Sequence, residues 1–347
     1  MQRIKQIIFF FIVYLKLYRK DKKRNFKLSI RKQLYCWARG FLPESFVIYN
    51  FSENSHREYL SDYQRTGKSS LIYHSNSVVL DSKLIFHKYF KDTGRVIAPI
   101  FYCNNSIVTE FSTGRIVEKK EIVECLNAQS FVAKPSGGGG GFGILFISFK
   151  NGWYVNEKAV TLSELLDILF TLTDTLIFPI INQTGFAKSI NPNSLNTIRF
   201  VTMVDPATNE VFSPVCVFRC GSKKSGAVDN WSNGGYSALI DFKSGRLGKA
   251  VSFPSNGVLE WISFHPDTKK SLEGFIIPNW DLIRDQVLAL AKEHFYLPYI
   301  GWDIVPMEDG FIILEGNSNS DVNLLQVHGP LLRDERVRKF YKFYNVI

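Results

Sequence analysis

From Phe131 to Phe149 the chain reads FVAKPSGGGGGFGILFISF, with five consecutive glycines between two apolar runs. The flanks are rich in β-forming residues, whereas glycine loses more freedom on ordering than any other residue. Five in a row weaken a purely structural turn. The arrangement therefore predicts a β-hairpin with a long flexible tip, open when empty and closing on a ligand. Bare N–H groups in such a loop approach oxygens that a Cβ would hold away. Lys134, three residues before Gly137, would place an ammonium at the loop's base. Two commoner phosphate loops fail here. A Walker loop carries Lys-Ser/Thr after its glycines and opens a helix. The dinucleotide fingerprint also opens a helix, while GILFISF reads as a strand. Taken by itself, a glycine tract is equally compatible with a low-complexity hairpin tip.

A second segment, GWDIVPMEDGFIILEGNSN, places two apolar strands around Glu308–Asp309–Gly310. A three-residue turn with glycine in the left-handed position pairs residues whose numbers sum to 618, setting Asp303 opposite Glu315. Asn317 then shares a face with Glu315. Two carboxylates and an amide are oxygen donors suited to Mg²⁺, with Mn²⁺ an acceptable substitute. A two-residue turn would send Asp303 to the other face. The alternative, surface carboxylates near a turn, is opposed by Trp302, Ile304, Ile312, Ile313 and Leu314, beside which an unpaired carboxylate is costly. A phosphate-cradling hairpin and an acidic hairpin suggest a nucleotide held between two lobes.

The rest of the chain supplies the frame. SKLIFHKYFKD (82–92) reads as a short helix with Leu84, Ile85 and Tyr89 on one side, VIAPIFY (96–102) as a strand, and Glu121–Gln129 as a short helix. TLSELLDILFTL opens on a capping box, Thr161 to Glu164, and LIFPII (176–181) reads as a buried strand. From Asn196 the pattern is of strands and turns, with an amphipathic helix over 281–294 and a charged helix at the C-terminal end. Helices and hairpins without regular βαβ alternation indicate an α+β, mostly antiparallel fold. The expected divisions are a tail over 1–35, a helical region over 36–80, a small lobe over 81–177 and a large lobe over 178–347.

Charge is concentrated in the tail. Residues 1–35 carry eleven lysines and arginines against Asp21 alone, a balance of +10 that equals the net charge of the whole chain. The body is thus neutral, which argues against a nucleic-acid-binding domain. IIFFFIVYL (7–15) is too short to span a bilayer, and no small-residue cleavage site follows it. Two readings remain: a shallow anchor on an anionic membrane surface, or a helix packed on the body. The five scattered cysteines fit a reducing, cytoplasmic setting.

KPSGGGGGFGI, SLNTIRF, DNWSNGG, FHPDT, IPNW and GWDIVPMEDGFIILEGNSN, in that order, resemble the ATP-grasp superfamily, specifically its branch associated with sugar transfer and cell-surface polysaccharide synthesis. The resemblance runs from roughly Ser82 to Val327. It implies two α+β lobes holding ATP, and a carboxylate–amine ligase passing through an acylphosphate. It assigns the ATP phosphates to Lys83, Lys134 and a lid of Gly137, Gly138, Gly139, Gly140, Gly141 and Gly143. Phe178, Ile180 and Ile181 would line the adenine, and Arg199 would face the γ-phosphate. Asp303, Glu315 and Asn317 would hold Mg²⁺, and Asn230, Gly234, Gly235 and His265 become substrate-side candidates. The glycine run exceeds the usual loop, and the hinge FPIINQ lacks the acidic residue that many members carry.

The implied reaction joins an amine, such as that of an amino acid, to a small or lipid-linked sugar carboxylate at the inner face of the cytoplasmic membrane. The alternatives are a phosphotransferase acting on a hydroxyl and a nucleotide-binding, membrane-associated scaffold without turnover. For Arg199 the bland alternative is a strand arginine in a salt bridge.

Overall fold

The structure, a computed structural model, describes residues 2–21, 26–73, 76–126, 129–139, 141 and 143–347. Lys22, Lys23 and Arg24 of the basic run, Asn127 and Ala128 of the helix expected over 121–129, and Gly140 and Phe142 of the glycine loop lie outside the described residues. The chain divides into two compact units: a smaller one of 78–182 with 312–315, and a larger one of 1–77, 183–311 and 316–347.

The smaller unit is built on one antiparallel sheet. Its strands are β1 (Phe101–Asn104), β2 (Ile107–Glu110), β3 (Phe131–Pro135), β4 (Leu145–Phe149), β5 (Trp153–Val155), β6 (Lys158–Val160) and β7 (Thr175–Pro179). Their order is β2-β1-β7-β3-β4-β5-β6. Alternation along the strands sorts the side chains. Phe131, Ala133, Ile147 and Ile177 pack with Ile122 and Leu126 of the helix Lys119–Leu126 and with Leu165, Leu166 and Leu169 of the helix Leu162–Thr171. The latter helix opens on the expected capping box, Thr161 with Glu164. Val132, Leu176 and Phe178 belong to a separate cluster with Phe111, Leu84, Ile97 and Ile180. By register Lys134 lies on the face of Val132, opposite Leu176.

Two local expectations need correction. The strand expected over 96–102 begins only at Phe101, and Val96 makes a single bridge to Ile313. Pro99 has no N–H for a ladder and restrains the residue before it. The helix Lys83–Tyr89 forms, but it buries Phe86 and His87, and Phe90 just beyond it, while Ile85 and Tyr89 are exposed. Phe86 and Phe90, four apart, share the inward face, and Leu84 of the expected side packs against the Val132, Leu176 and Phe178 cluster.

The larger unit carries β8 (Thr197–Val204), β9 (Val211–Phe212), β10 (Cys216–Cys220), β11 (Tyr236–Ile240), β12 (Leu247–Ser252), β13 (Trp261–Ile262), β14 (Tyr299–Met307) and the two ends of β15 (Gly310–Asn317), whose residues 312–315 belong to the smaller unit. The order is β13-β12-β11-β10-β8-β14-β15, with β9 paired to β8. Every residue of β8 is buried, as is all of β14 except Met307. The helices Trp280–Glu293 and Glu335–Phe343 both contact β8. Polar side chains on these strands are therefore sealed from water and must find partners within the fold.

The N-terminal segment forms a helix, Gln2–Asp21. It packs through Val13 and Leu17 against Leu42 and Tyr63, and Tyr14 stacks on Tyr63 at 5.3 Å between ring centres. This is the packed-helix alternative for part of the tail. Among the described residues no helix is long and apolar enough to cross a membrane.

Two buried histidines set an acid limit. Burial, with Lys134 and Lys83 adding repulsion, lowers the pKa of His87 to about 3, and burial lowers that of His328 to about 4. Both are neutral in the native protein, whereas the unfolded chain takes up protons below about pH 6.5. Stability is thus full above pH 6.5 and is lost as pH falls toward the native values. At pH 5 the loss should be about 2 kcal/mol per histidine relative to pH 8. Urea unfolding at the two pH values measures it, and His328→Gln should remove about half.

Candidate functional site

The glycine loop is the tip of an antiparallel hairpin, with Phe131 opposite Ile147 and Ala133 opposite Leu145. Its base is fastened to the start of the helix Lys83–Tyr89. The Lys83 backbone N–H donates to the Ser136 carbonyl at 2.8 Å, and the Ser82 and Ser136 hydroxyls are 3.0 Å apart. A Cβ added at Gly137, Gly138 or Gly139 would meet nothing within 4 Å, whereas one at Gly143 would come 2.9 Å from the Pro135 side chain. Crowding thus requires a glycine at Gly143 but not at Gly137, Gly138 or Gly139. Gly138 and Gly141 take φ of +83° and +82°, a conformation that side chains disfavour.

One lysine joins the loop to the acidic segment. The Lys83 ammonium donates to the Gly138 carbonyl at 3.1 Å and lies 3.3 Å from the Glu315 carboxylate. Both groups belong to the smaller unit, because 312–315 is part of it. The Lys134 ammonium sits 5.4 Å over the Phe178 ring, and the His87 ring centre lies 4.8 Å from that of the same Phe178. Lys83, Lys134, Gly138, Phe178 and Glu315, all singled out in the sequence, are thereby gathered in one unit. Pro179 ends β7, so Ile180 and Ile181 follow the strand, half-buried.

The larger unit holds a buried ion cluster. On adjacent strands Arg199 pairs with Asp303, and Thr197 with Arg219. Arg199 grips Asp303 with two donors, Nε at 2.5 Å and a terminal nitrogen at 3.1 Å, and Arg219 reaches the same carboxylate at 3.1 Å. Arg219 is also 3.5 Å from Asp229, whose carboxylate accepts from Thr197 Oγ1. Burial pushes the Asp303 carboxyl up, but Arg199 and Arg219 outweigh it and hold the group below its ordinary range. For Asp229 burial prevails over Arg219 and Thr197, and its pKa is raised. Two guanidinium groups thus share two carboxylates, and nearly all of the cluster's charge is met within the fold. The salt-bridge alternative for Arg199 is realised in this pairing.

β14 ends at Met307 and β15 begins at Gly310, so Glu308 and Asp309 lie between the strands, one residue fewer than the expected turn. Glu308 and Asp309 have negative φ and Gly310 has φ +136°. Asn317 Nδ2 donates to the Gly301 carbonyl at 3.0 Å, and 301 and 317 are positions the expected register sets opposite each other.

The remaining candidates are structural in their contacts. Asn230 caps the turn Trp231–Asn233, accepting from Ser232. A Cβ on Gly234 would come 2.8 Å from the Lys224 side chain, and one on Gly235 would come 2.8 Å from the Asp229 carbonyl. His265 is wholly buried: Nε2 is 2.7 Å from the Gly221 carbonyl and Nδ1 is 3.2 Å from the Thr268 hydroxyl. It pins the loop after β10 rather than facing solvent.

Sequence reasoning missed Arg219, Thr197 and Arg65. Arg65 donates to the Ser320 carbonyl at 2.8 Å and to the Asn319 carbonyl at 3.3 Å, fixing the segment that follows Asn317. Thr197 lies within SLNTIRF but two positions before the arginine singled out there, and Arg219 and Arg65 lie in no motif; the strand register and a contact across 255 positions reveal them.

A family model described as sugar-transfer associated ATP-grasp matches residues 67–340. The chain belongs to this ATP-grasp family. No curated protein matches it. Among solved structures, it is similar to the D-Ala:D-Ser ligase VanG from Enterococcus faecalis, at 13% identity and TM-score 0.40, over 80% of this chain and 63% of that one. It is also similar to the N5-carboxyaminoimidazole synthetase from Staphylococcus aureus complexed with ADP, at 10% identity and TM-score 0.38, over 71% of this chain and 45% of that one. For the ATP-grasp ligase PsnB complexed with minimal precursor the values are 14% and 0.35, over 75% and 60%. The chain thus spans less than two thirds of each of these proteins. The two antiparallel sheets of this ATP-grasp protein carry the α+β fold that its sequence motifs imply.

Proposed function

We propose that this ATP-grasp protein is an ATP-dependent ligase that activates a sugar carboxylate and condenses it with an amine, such as that of an amino acid. The observation that carries the reading is Lys83, whose ammonium joins the glycine loop to Glu315 in the unit that also holds Lys134 and Phe178. Lys83, Lys134 and the backbone of Gly137, Gly138, Gly139, Gly140, Gly141 and Gly143 bind the triphosphate. Phe178, Ile180 and Ile181 line the base.

The donor set suits magnesium. Asp303, Glu315 and Asn317 offer only oxygen ligands, and Asp303, with about four lone-pair sites, uses three on guanidinium donors. Mg²⁺ held there supplies charge neutralisation at the phosphate oxygens, and Mn²⁺ has the same ligand preference.

The reaction brings anions together. A carboxylate oxygen attacks the γ-phosphorus and the bond to the β-phosphate oxygen breaks, releasing ADP. Arg199 offsets the charge that accumulates on the transferring group, and Arg219 and Asp303 hold its guanidinium in place. The amine then attacks the acyl carbon, loses a proton and expels phosphate, leaving an amide. His265, Gly234 and Gly235 act by shaping the loops beside this cluster, and Asn230 caps one of them. The family's sugar-transfer description supports a sugar acceptor belonging to a cell-surface polysaccharide. The basic, apolar N-terminal helix supports a peripheral position on the inner face of the cytoplasmic membrane.

ATP consumption with candidate uronates and amines, read out by product mass, tests the reading. Condensation with loss of water is the expected result. Gain of a phosphoryl group on a hydroxyl acceptor would make the protein a kinase and overturn the ligase assignment.

A further inference from the structure

Over residues 11–19 the helix Gln2–Asp21 buries one stripe and leaves much of the remainder exposed. Val13 and Leu17, four residues apart, meet Leu42 and Tyr63. Around the rest of the helix Phe11, Ile12, Tyr14, Leu15 and Tyr18 remain 64, 45, 46, 39 and 50% exposed. Phe11, Tyr14, Leu15 and Tyr18 form one wall of an apolar groove, and Trp37 and Phe41 line it too. Nearby in sequence, Ile30 and Leu34 of the helix Ile30–Trp37 are 72 and 57% exposed. A contiguous apolar, aromatic surface of this kind marks an interaction site.

Charge selects the occupant. The eleven basic residues within 1–35, with Asp21 the sole acid, sit in the same stretch of chain. A second copy placed on this face would bring two +10 segments together and be repelled. An apolar protein partner would leave the cations without counter-charge. An anionic lipid surface meets both demands: acyl chains receive the apolar face, headgroups meet lysine and arginine, and tyrosine and tryptophan rings favour the boundary. The helix has no need to span the bilayer, since one of its stripes is already committed to Leu42 and Tyr63.

We infer that the N-terminal helix, with the groove it forms against Trp37 and Phe41, is an in-plane binding site for anionic membrane surfaces. This gives the peripheral position proposed above its binding element and its lipid class. It does not depend on ligase chemistry, because none of these residues is assigned to the nucleotide or the metal.

Sedimentation of the full-length protein with phospholipid vesicles tests it. Partitioning should be at least about tenfold stronger to vesicles of phosphatidylcholine with one third phosphatidylglycerol than to phosphatidylcholine alone, and should fall steeply in 0.5 M NaCl. The double variant Phe11→Ser, Tyr18→Ser changes two half-exposed or more exposed side chains, so it should keep its unfolding midpoint and its ATP turnover while losing about tenfold or more in partitioning. Equal partitioning to neutral and anionic vesicles, no partitioning to either, or unchanged partitioning of the double variant overturns the inference. So does a dimer of the wild type, seen by light scattering, that the double variant abolishes. Loss of ligase activity with vesicle binding intact would count against the proposed reaction and leave this site standing.

Discussion

Arg199→Met should lower turnover by about 10²–10³-fold while changing MgATP affinity by no more than about threefold, because in its proposed role the guanidinium offsets charge that develops only during transfer. The structure makes this separable from collapse of the site. Removing Arg199 strips two donors from Asp303, yet Arg219 remains 3.1 Å from the same carboxylate. Asp303 is left weakened but not orphaned, so the loss of stability should be about 3 kcal/mol, the lower end for a broken buried pair. Its carboxyl should then titrate higher, since burial would face a single cation. Steady-state kinetics and nucleotide titration on the same preparation read out both quantities. A variant that lost MgATP affinity and kept its turnover would place Arg199 on the bound nucleotide and away from the reacting group.

The second large effect belongs to Glu315. Its carboxylate is the partner of Lys83, and it is a proposed metal ligand. Glu315→Gln removes the negative charge that both cations require, but keeps an oxygen at the position. Turnover should fall by at least about 10²-fold, and raising Mg²⁺ should restore only part of it. Lys83, released from its ion pair, remains free to meet phosphate. Affinity for ATP without metal should therefore hold or rise slightly, while the gain from adding Mg²⁺ shrinks by about tenfold, in line with the loss of one charged hydrogen-bonding partner. If the variant responded to Mg²⁺ as the wild type does, Glu315 would be a structural partner of Lys83 and nothing more.

The parts of this site that were legible in the sequence are those set by local rules. The strand–glycine–strand pattern gave the β3–β4 hairpin, Glu308–Asp309–Gly310 gave a turn closed by a glycine with positive φ, and Thr161 to Glu164 gave a helix start. The illegible parts were set by distance along the chain. Asp303 reads from its neighbours as a metal ligand, but its two guanidinium partners come from β8 and β10, about 100 and 84 positions earlier. No local pattern announces that register. Arg219 carries no motif, because a strand arginine looks the same whether it faces water or a buried carboxylate. The contacts of His265 were illegible for a related reason. The family pattern singles the residue out, but only the fold shows that its two nitrogens meet Gly221 and Thr268 in a buried setting. The helix Lys83–Tyr89 shows the limit of periodicity in short elements: over seven residues, two phenylalanines decide the buried side against a pattern that favours Leu84, Ile85 and Tyr89.

The link from Lys83 to the glycine loop and Glu315 is the centre of the account, and calorimetric titration of MgATP into the wild type and Lys83→Met tests it most directly. The wild type should bind MgATP at one site, and the variant should bind at least about tenfold more weakly, with its loop backbone amides near Gly138 no longer protected from hydrogen exchange by the nucleotide. Equal affinities, with the same protection of the loop in both proteins, would contradict it.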